Sequence, residues 1–341
     1  MMNNLTITEP THFSAPSLAG GAILLEIGAE YGLVDLLRQS RTISVGEAAL
    51  HSGLPPAAVT QYLEALASAG LLEQAEAMAG GAAPAYKGTA ALARAIHDVG
   101  YLSWGLRACQ PLIANARRFL VDPGQAREDH QRDGGLVART SQWMGEQSFY
   151  PHAEETILAL RPRHFVDLGC GSARLLVKIL QKLPDSRGTG IDMSSKACAD
   201  ARHAAAGADL GQRLNIIESP IQSLADDPSP LAGADVIHAG FVLHDLMPDD
   251  EAVLDRLLAA CREASPKATL VVVDAVPFAK DEQERLFSAA FSYLHHGFMG
   301  RELQSEMAWS ERLARAGFSA VEVSKLGIPG GRLFLARGKQ H

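Results

Sequence analysis

One short stretch of the chain combines an acid with closely spaced glycines, a pattern suited to holding a nucleotide-like cofactor. It reads Phe165-Val-Asp-Leu-Gly-Cys-Gly-Ser-Ala-Arg174, so that Asp167 is followed by Gly169 and Gly171. Glycine has no Cβ, which allows the backbone to turn tightly and to approach a ligand closely. Asp192 lies about 20 residues further on, where a carboxylate can accept hydrogen bonds from ribose hydroxyls. We therefore predict a cofactor site that contains Asp167, Gly169, Gly171 and Asp192.

The glycine pattern distinguishes between the cofactors that such a turn can hold. A dinucleotide fingerprint, Gly-x-Gly-x-x-Gly, requires a third glycine at a position that Arg174 occupies here. The stretch instead resembles motif I of the S-adenosylmethionine (SAM)-dependent methyltransferases, except that Ala173 replaces the usual last glycine. The alternatives are a nicotinamide cofactor and a tight turn without a ligand. The resemblance implies SAM as the cofactor, with Met193 and Gly240 as further contacts.

A second group of chemically competent residues lies beyond a predicted fourth strand over residues 234–238. The chain reads Phe241-Val-Leu-His244-Asp245-Leu246 and continues with Asp249, Asp250 and a predicted helix. This pattern resembles the small-molecule O-methyltransferases of plants and bacteria. In that family the histidine is the general base that deprotonates a substrate hydroxyl, and the resemblance gives this role to His244. The alternative is a helix-capping or buried structural histidine.

A histidine pair distinguishes this chain from those O-methyltransferases. The stretch Ser292-Tyr-Leu-His295-His296-Gly297 stands where they have an apolar helix. Two imidazoles that converge on one cleft can hold a catalytic metal ion with open coordination positions. The whole pattern resembles a narrower group, the iron-containing α-keto acid C-methyltransferases, which methylate the β-carbon of 2-oxo acids. The resemblance implies that His244 and His295 hold a non-haem iron.

The resemblance also implies a reaction. The β-carbon of a 2-oxo acid becomes nucleophilic when it loses a proton to give an enolate, which a chelated metal ion stabilises as a Lewis acid. Asp245 or a metal-bound hydroxide would take the proton. Among the arginines of residues 100–140 we select Arg127 to hold the substrate carboxylate, because a planar guanidinium binds two oxygens at once. By whole-chain resemblance the expected substrate is 2-ketoarginine (5-guanidino-2-oxopentanoate), in the biosynthesis of a β-methyl amino acid and of antibiotics.

Two alternative functions remain open. One is a SAM-dependent O-methyltransferase of a small hydroxylated metabolite, in which His244 is a plain general base and His295 only packs. The other is a non-enzymatic regulator built on a winged helix. Residues 42–86 contain no Lys or Arg, and DNA binding needs cations placed against phosphates. The absence of cations in that stretch argues against the regulator.

The elements that would position these residues form an α/β fold with an added helical domain. Residues 161–341 alternate strands and helices in the seven-stranded, Rossmann-like layout of the class I methyltransferases. Residues 1–95 read as a winged-helix dimerisation domain. Residues 96–160 read as a helical linker that contributes to the substrate pocket.

Within the winged-helix domain, a helix is predicted over residues 18–37 with Ile23 and Ile27 on its buried apolar side. Ser44 and Glu47 have the spacing of a capping box, in which each side chain bonds the other residue's backbone N–H. Residues 1–16 read as a loose arm and residues 79–84 as a hairpin tip.

Composition and charge limit the partners. The chain has 341 residues and a net charge of −8, which argues against nucleic acid as a partner. The cation-free winged helix is therefore expected to form a homodimer. No apolar run reaches the length of a membrane span, and the first 20 residues lack a secretory pattern. We expect a cytoplasmic enzyme that binds no membrane.

Overall fold

The computed structural model describes residues 14–39, 42–75 and 84–338. The chain forms two compact units, one with residues up to 113 and 132–144, the other with 114–131 and the chain from 145 onward. The stretch 96–160, predicted as a linker, is therefore divided between the units, and the domain boundaries drawn from the sequence stay a prediction. The predicted loose arm and hairpin tip lie almost entirely outside the described residues.

The first unit consists of helices and one small antiparallel sheet. Its helices are α1 (Ala15–Glu30), α2 (Leu33–Gln39), α3 (Val45–Ser52), α4 (Pro56–Ser68), α5 (Ala90–Ser103) and α6 (Gln110–Ala114), with a π-helical turn (Trp104–Ala108) after α5. Its strands are β1 (Ile43–Ser44), β2 (Leu72–Ala75) and β3 (Ala85–Gly88), paired in the order β1-β3-β2. The capping box of Ser44 and Glu47 is present at the start of α3. This succession of helices and a wing confirms the predicted winged-helix pattern.

The start of this unit differs from the prediction. The single helix expected over residues 18–37 is wrong, because α1 and α2 are bent by 95° against each other. The bend lies at Tyr31 and Gly32, where Gly32 has a φ of +71° that glycine adopts without a steric penalty. Ile23 and Ile27, expected on the buried side, are 63% and 49% exposed. No single helix in the described ranges is long and apolar enough to cross a membrane; α1 and α2 meet those criteria only when counted together.

The second unit is a seven-stranded sheet with helices on both faces. Its strands are β4 (His164–Leu168), β5 (Arg187–Asp192), β6 (Leu214–Glu218), β7 (Val236–Gly240), β8 (Thr269–Ala275), β9 (Phe318–Lys325) and β10 (Gly331–Gly338). Its helices are α7 (Ala116–Val121), α8 (Pro123–Asp129), the end of α9 (Gly134–Ser148), α10 (Tyr150–Leu160), α11 (Arg174–Lys182), α12 (Ser195–Gly207), α13 (Glu251–Ala264), α14 (Arg285–Tyr293) and α15 (Glu306–Arg315). The strand order is β6-β5-β4-β7-β8-β10-β9, and β10 is antiparallel to both of its neighbours. The predicted seven-stranded, Rossmann-like fold is confirmed.

The sheet positions the site through its strand order. Strands β4 and β8 are buried along their whole length, as expected for strands covered by helices on both faces. The order reverses between β4 and β7, and in open α/β sheets ligands bind beyond the carboxyl ends of the strands at such a switch point. Strand β7 ends at Gly240, two residues later than predicted, because Gly240 still pairs with Val273 of β8.

Candidate active site

The glycine turn after β4 has the backbone geometry that its sequence predicts. Gly169 and Gly171 have φ values of +69° and +53°. A Cβ at position 169 would stand 2.9 Å from Val242, whereas a Cβ at position 171 would meet nothing within 4 Å. The protein therefore leaves no room for a side chain at position 169, whereas the space beside position 171 is open. Ala173, in place of the motif's last glycine, also has a positive φ of +58°, which costs a residue with a Cβ about 1–2 kcal/mol.

Asp192 joins the glycine turn to the end of β5. One of its carboxylate oxygens accepts a hydrogen bond from the Gly171 N–H at 2.9 Å, and the other accepts one from the Ser194 N–H at 2.9 Å. Each carboxylate oxygen has two lone pairs, so both oxygens can accept a further hydrogen bond. The structure thus brings Asp192 and Gly171 together, as predicted. Met193 follows directly and is largely exposed, and its contact with a cofactor stays a prediction.

The structure places Asp167 inside the sheet. Its side chain is buried and lies 2.7 Å from Nδ1 of His238, the residue opposite it in the register of β4 and β7. Gly240 lies further along β7, where a Cβ would come within 3.0 Å of the His238 ring. Cofactor contacts of Asp167 and Gly240 stay predictions. His238 was not predicted, although a histidine inside an apolar strand was a usable signal.

His244 lies in a 3₁₀ turn after β7 (Leu243–Leu246), and a buried carboxylate fixes its ring. Asp274 at the end of β8 has no exposed surface. Its carboxylate accepts hydrogen bonds from the His244 backbone N–H at 3.2 Å and from Nδ1 at 2.6 Å. With Nδ1 donating to the carboxylate, the neutral ring has its lone pair on Nε2. Sequence reasoning missed Asp274; an acid that ends the apolar run 269–273 was the available signal.

His295 lies in a π-helical segment, Leu294–Met299, that continues α14. Its side chain is fully buried, and Nδ1 donates to the Phe291 carbonyl at 2.8 Å. A carbonyl can only accept, so the neutral ring of His295 also has its lone pair on Nε2. The His244 and His295 ring centroids are 5.4 Å apart with planes at 77°. The structure therefore brings together the two histidines that were predicted to act together.

The neighbouring His296 has a different role. Its Nε2 accepts a hydrogen bond from the Leu303 N–H at 3.1 Å, and its ring meets the edge of Phe278 with centroids 5.7 Å apart. These contacts tie the π-helical segment to Leu303, which follows it, and to Phe278, which precedes α14. His296 is thus a structural histidine beside a functional candidate.

Two further predicted residues lie next to the histidines. An oxygen of Asp245 is 3.9 Å from the His244 Nε2 and 3.9 Å from the Nε of Arg301, and this carboxylate is 46% exposed. The Nε of Arg127 donates to the Phe298 carbonyl at 3.0 Å. Arg127 therefore contacts the segment that carries His295, while its contact with a substrate stays a prediction.

Several known proteins are similar to this chain. Residues 166–265 match the family described as "Methyltransferase domain". The chain is 28% identical over 203 residues to indolepyruvate C-methyltransferase of Streptomyces griseus, an alignment that covers 58% of each protein. It is 25% identical over 317 residues to methyltransferase ungE' of Aspergillus campestris, covering 89% of this chain and 90% of that one.

The fold also matches solved structures. Human N-acetylserotonin methyltransferase in complex with SAM superposes with a TM-score of 0.56 at 18% identity, over 98% of this chain and all of that one. At this identity the likeness shows the fold and leaves the substrate open. The alignment with the Streptomyces protein, in turn, spans less than two thirds of its length.

Proposed function

We propose that this chain, whose residues 166–265 match the methyltransferase domain family, is a SAM-dependent enzyme that transfers the methyl group to the β-carbon of a 2-oxo acid. The observation that carries this proposal is the pair of buried imidazoles, His244 and His295, with ring centroids 5.4 Å apart. The name of the Streptomyces relative, indolepyruvate C-methyltransferase, supports a 2-oxo acid as substrate. The first compound to test is 2-ketoarginine, with indolepyruvate and phenylpyruvate beside it.

Two features of this pair support a metal ion between the rings. Both Nδ1 atoms donate to fixed acceptors, Asp274 for His244 and the Phe291 carbonyl for His295. Outer hydrogen bonds of this kind orient metal-ligating histidines and make them more basic. A bond from metal to imidazole nitrogen is about 2 Å long, so two rings on one ion have centroids no more than roughly 6–7 Å apart. The observed spacing lies within that limit.

The protein itself would supply two ligands. Across residues 14–39, 42–75 and 84–338, no group of three or more His, Cys, Asp or Glu side chains has the geometry to hold a metal ion. A two-histidine site leaves coordination positions for a chelating substrate, and imidazole suits iron among other metals. We propose iron as the resident ion. When bound, it would supply Lewis acidity toward the keto oxygen, which makes the β-carbon proton more acidic.

The chain's own residues carry out the remaining tasks. Asp192 would fix the ribose of SAM beside Gly171, so that the sulfonium methyl group is held in one orientation. Asp245 is the proposed base for the β-proton, because it is an accessible carboxylate next to the His244 ring. Arg127 is proposed to hold the substrate carboxylate. A homodimer formed through the first unit and a cytoplasmic location complete the proposal.

O-methylation of a small hydroxylated metabolite is the second candidate function. The contact between His244 and Asp274 favours it, because a base oriented by a buried carboxylate is a common catalytic arrangement. In that case His244 would take a hydroxyl proton and His295 would only pack. The two candidates differ in their need for His295.

Metal analysis of purified variants separates them. If both histidines are ligands, His244→Ala and His295→Ala should each remove bound metal and activity together, since one imidazole holds an ion weakly. Asp274→Asn should weaken metal binding by roughly 10- to 100-fold, the usual effect of losing an outer-shell partner. His203→Ala, which removes an exposed histidine from α12, is the matched control and should keep its metal. Full activity in metal-free protein would refute C-methylation through this centre.

The product provides an independent test. With a 2-oxo acid deuterated at its β-carbon, C-methylation replaces one deuteron by the transferred methyl group, whereas O-methylation of a separate hydroxyl or of the carboxylate leaves all β-deuterons in place. Mass spectrometry after brief incubation reads the difference, and a control without enzyme corrects for spontaneous exchange. A methyl group found on oxygen would rule out the proposed reaction.

A further inference from the structure

The π-helical segment Leu294–Met299 decides which of two adjacent histidines faces the interior. It continues α14 and ends at Gly300, which has a φ of +66°. Segments of this kind are rare and are frequently found at functional sites. Each helical residue rotates the chain by about 100° around the axis, so a shift of one residue would turn His295 away from its present direction and put a neighbouring residue in its place. In the observed register His295 is fully buried.

Two carbonyls of this segment accept hydrogen bonds from outside it. The His295 carbonyl accepts from the N–H groups of Gly300 and Arg301, the latter at 2.8 Å. The Phe298 carbonyl accepts from the Nε of Arg127 at 3.0 Å, across 171 positions of sequence. The last carbonyls of a helix have no partner within it. Arg127 therefore satisfies a group that the segment cannot satisfy itself.

Side-chain packing supports the same attachment. The buried Phe298 ring stacks on Phe119 of α7, with centroids 4.9 Å apart and planes at 10°. A Cβ at Gly300 would stand 2.8 Å from the guanidinium carbon of Arg127, so only glycine permits this approach. Helices α7 and α8 thus hold the segment by one ring stack and one hydrogen bond. The rest of the Arg127 side chain is exposed.

We infer that Arg127 is a positioning residue, which locks the π-helical register that turns His295 inward. The consequence for metal binding rests on the proposed function, whereas the locking of residues 294–299 does not. The planar guanidinium offers an Nε–H donor that a lysine ammonium cannot place in the same way. The Nη groups of the same side chain are still available to the proposed role at the substrate carboxylate.

Cobalt(II) binding in the absence of substrate tests this role. The full-length apo-protein is titrated with Co²⁺ by calorimetry as wild type, Arg127→Ala, Arg127→Lys and Arg118→Ala. Arg118 is the matched control, because it lies in the same pair of helices and its ion pair, with Asp129 at 3.3 Å, stays within them. Both Arg127 variants should bind Co²⁺ at least about tenfold more weakly, with a changed visible spectrum. Arg118→Ala should match the wild type.

Hydrogen–deuterium exchange of the amides over residues 294–301 gives the second readout. Exchange should be faster in both Arg127 variants than in the wild type and Arg118→Ala. Unchanged exchange in Arg127→Ala overturns the inference, and faster exchange with unchanged Co²⁺ affinity overturns the link to His295. If the wild type binds no Co²⁺, the metal part of the proposed function is refuted. The amide exchange rates of residues 294–301 then decide by themselves whether Arg127 holds the π-helical segment in place. If Arg127→Ala does not fold, Arg127→Gln takes its place in both measurements.

Discussion

Replacing Asp192 by Ala tests the cofactor assignment most directly. The carboxylate accepts two backbone hydrogen bonds, from Gly171 in the glycine turn and from Ser194 beyond β5. It thereby holds together the two chain segments between which the SAM ribose is expected. Each oxygen has one further lone pair for a ribose hydroxyl. The substitution should therefore weaken cofactor binding and also release the glycine turn from the end of β5 in the protein without SAM.

The size of the effect follows from the number of lost hydrogen bonds. A hydrogen bond to a charged group contributes about 1.5–3 kcal/mol, which corresponds to about 10- to 150-fold in Kd. Loss of one ribose contact should weaken SAM binding by that factor, and loss of both by more. The two backbone donors lose their acceptor as well, but both lie next to solvent, so water can replace part of the loss.

Isothermal titration calorimetry with SAM and with S-adenosylhomocysteine measures this effect. The matched control is Asp200→Ala, which removes the same charge from α12, where Asp200 pairs with Lys196 at the surface, at 3.1 Å. That variant should bind like the wild type, since an exposed ion pair contributes little. A folded Asp192→Ala protein with wild-type affinity would refute the assignment of the cofactor site.

Two further changes test the packing and the pH dependence of stability. Gly28→Ala should destabilise the first unit by about 1–3 kcal/mol, because its Cβ would lie 1.8 Å from the Tyr62 hydroxyl. Urea unfolding measures this loss. The control is Gly20→Ala in the same helix, where a Cβ would meet nothing within 4 Å, and its effect on stability should be neutral or slightly stabilising. Burial, and secondarily the Arg187 charge, lowers the pKa of His164 from its ordinary 6.5. The unfolded chain then binds the proton more tightly than the folded chain does. The stability that neutral His164 contributes should therefore fall as the pH drops below about 6.5. Thermal melts should show that His164→Gln loses less stability than the wild type over that range.

Local features were predictable because neighbouring residues decide them. The capping box at Ser44 needs only a glutamate three positions later, and it forms as predicted. The turn at Gly169 and Gly171 needs two residues that adopt positive φ values, and it has them. Strand β6 begins and ends at the predicted residues 214 and 218. In each case the residues that determine the feature lie within a few positions of one another in the chain.

The break between α1 and α2 shows where local reasoning failed. The apolar spacing of residues 18–37 is compatible with one helix, and Gly32 inside it is only mildly unfavourable in a helix interior. The folded unit instead buries Leu33 and Leu37 of α2 in the same core as Leu25 of α1. A packing requirement of the whole unit thus overrides the periodicity of the segment.

The sequence by itself predicted a methyltransferase, through the resemblance that the glycine turn, the strand alternation and the His-Asp pair carry. Only the tertiary structure decided how the two histidines are held. Asp274 reaches His244 from 30 positions away, and Arg127 reaches Phe298 from 171 positions away. Contacts over such separations depend on which strands become neighbours and on the register of one π-helical segment. An acid that ends an apolar strand is visible in the sequence, but its partner is not, because a buried carboxylate or a surface arginine looks the same in sequence whatever it finally contacts.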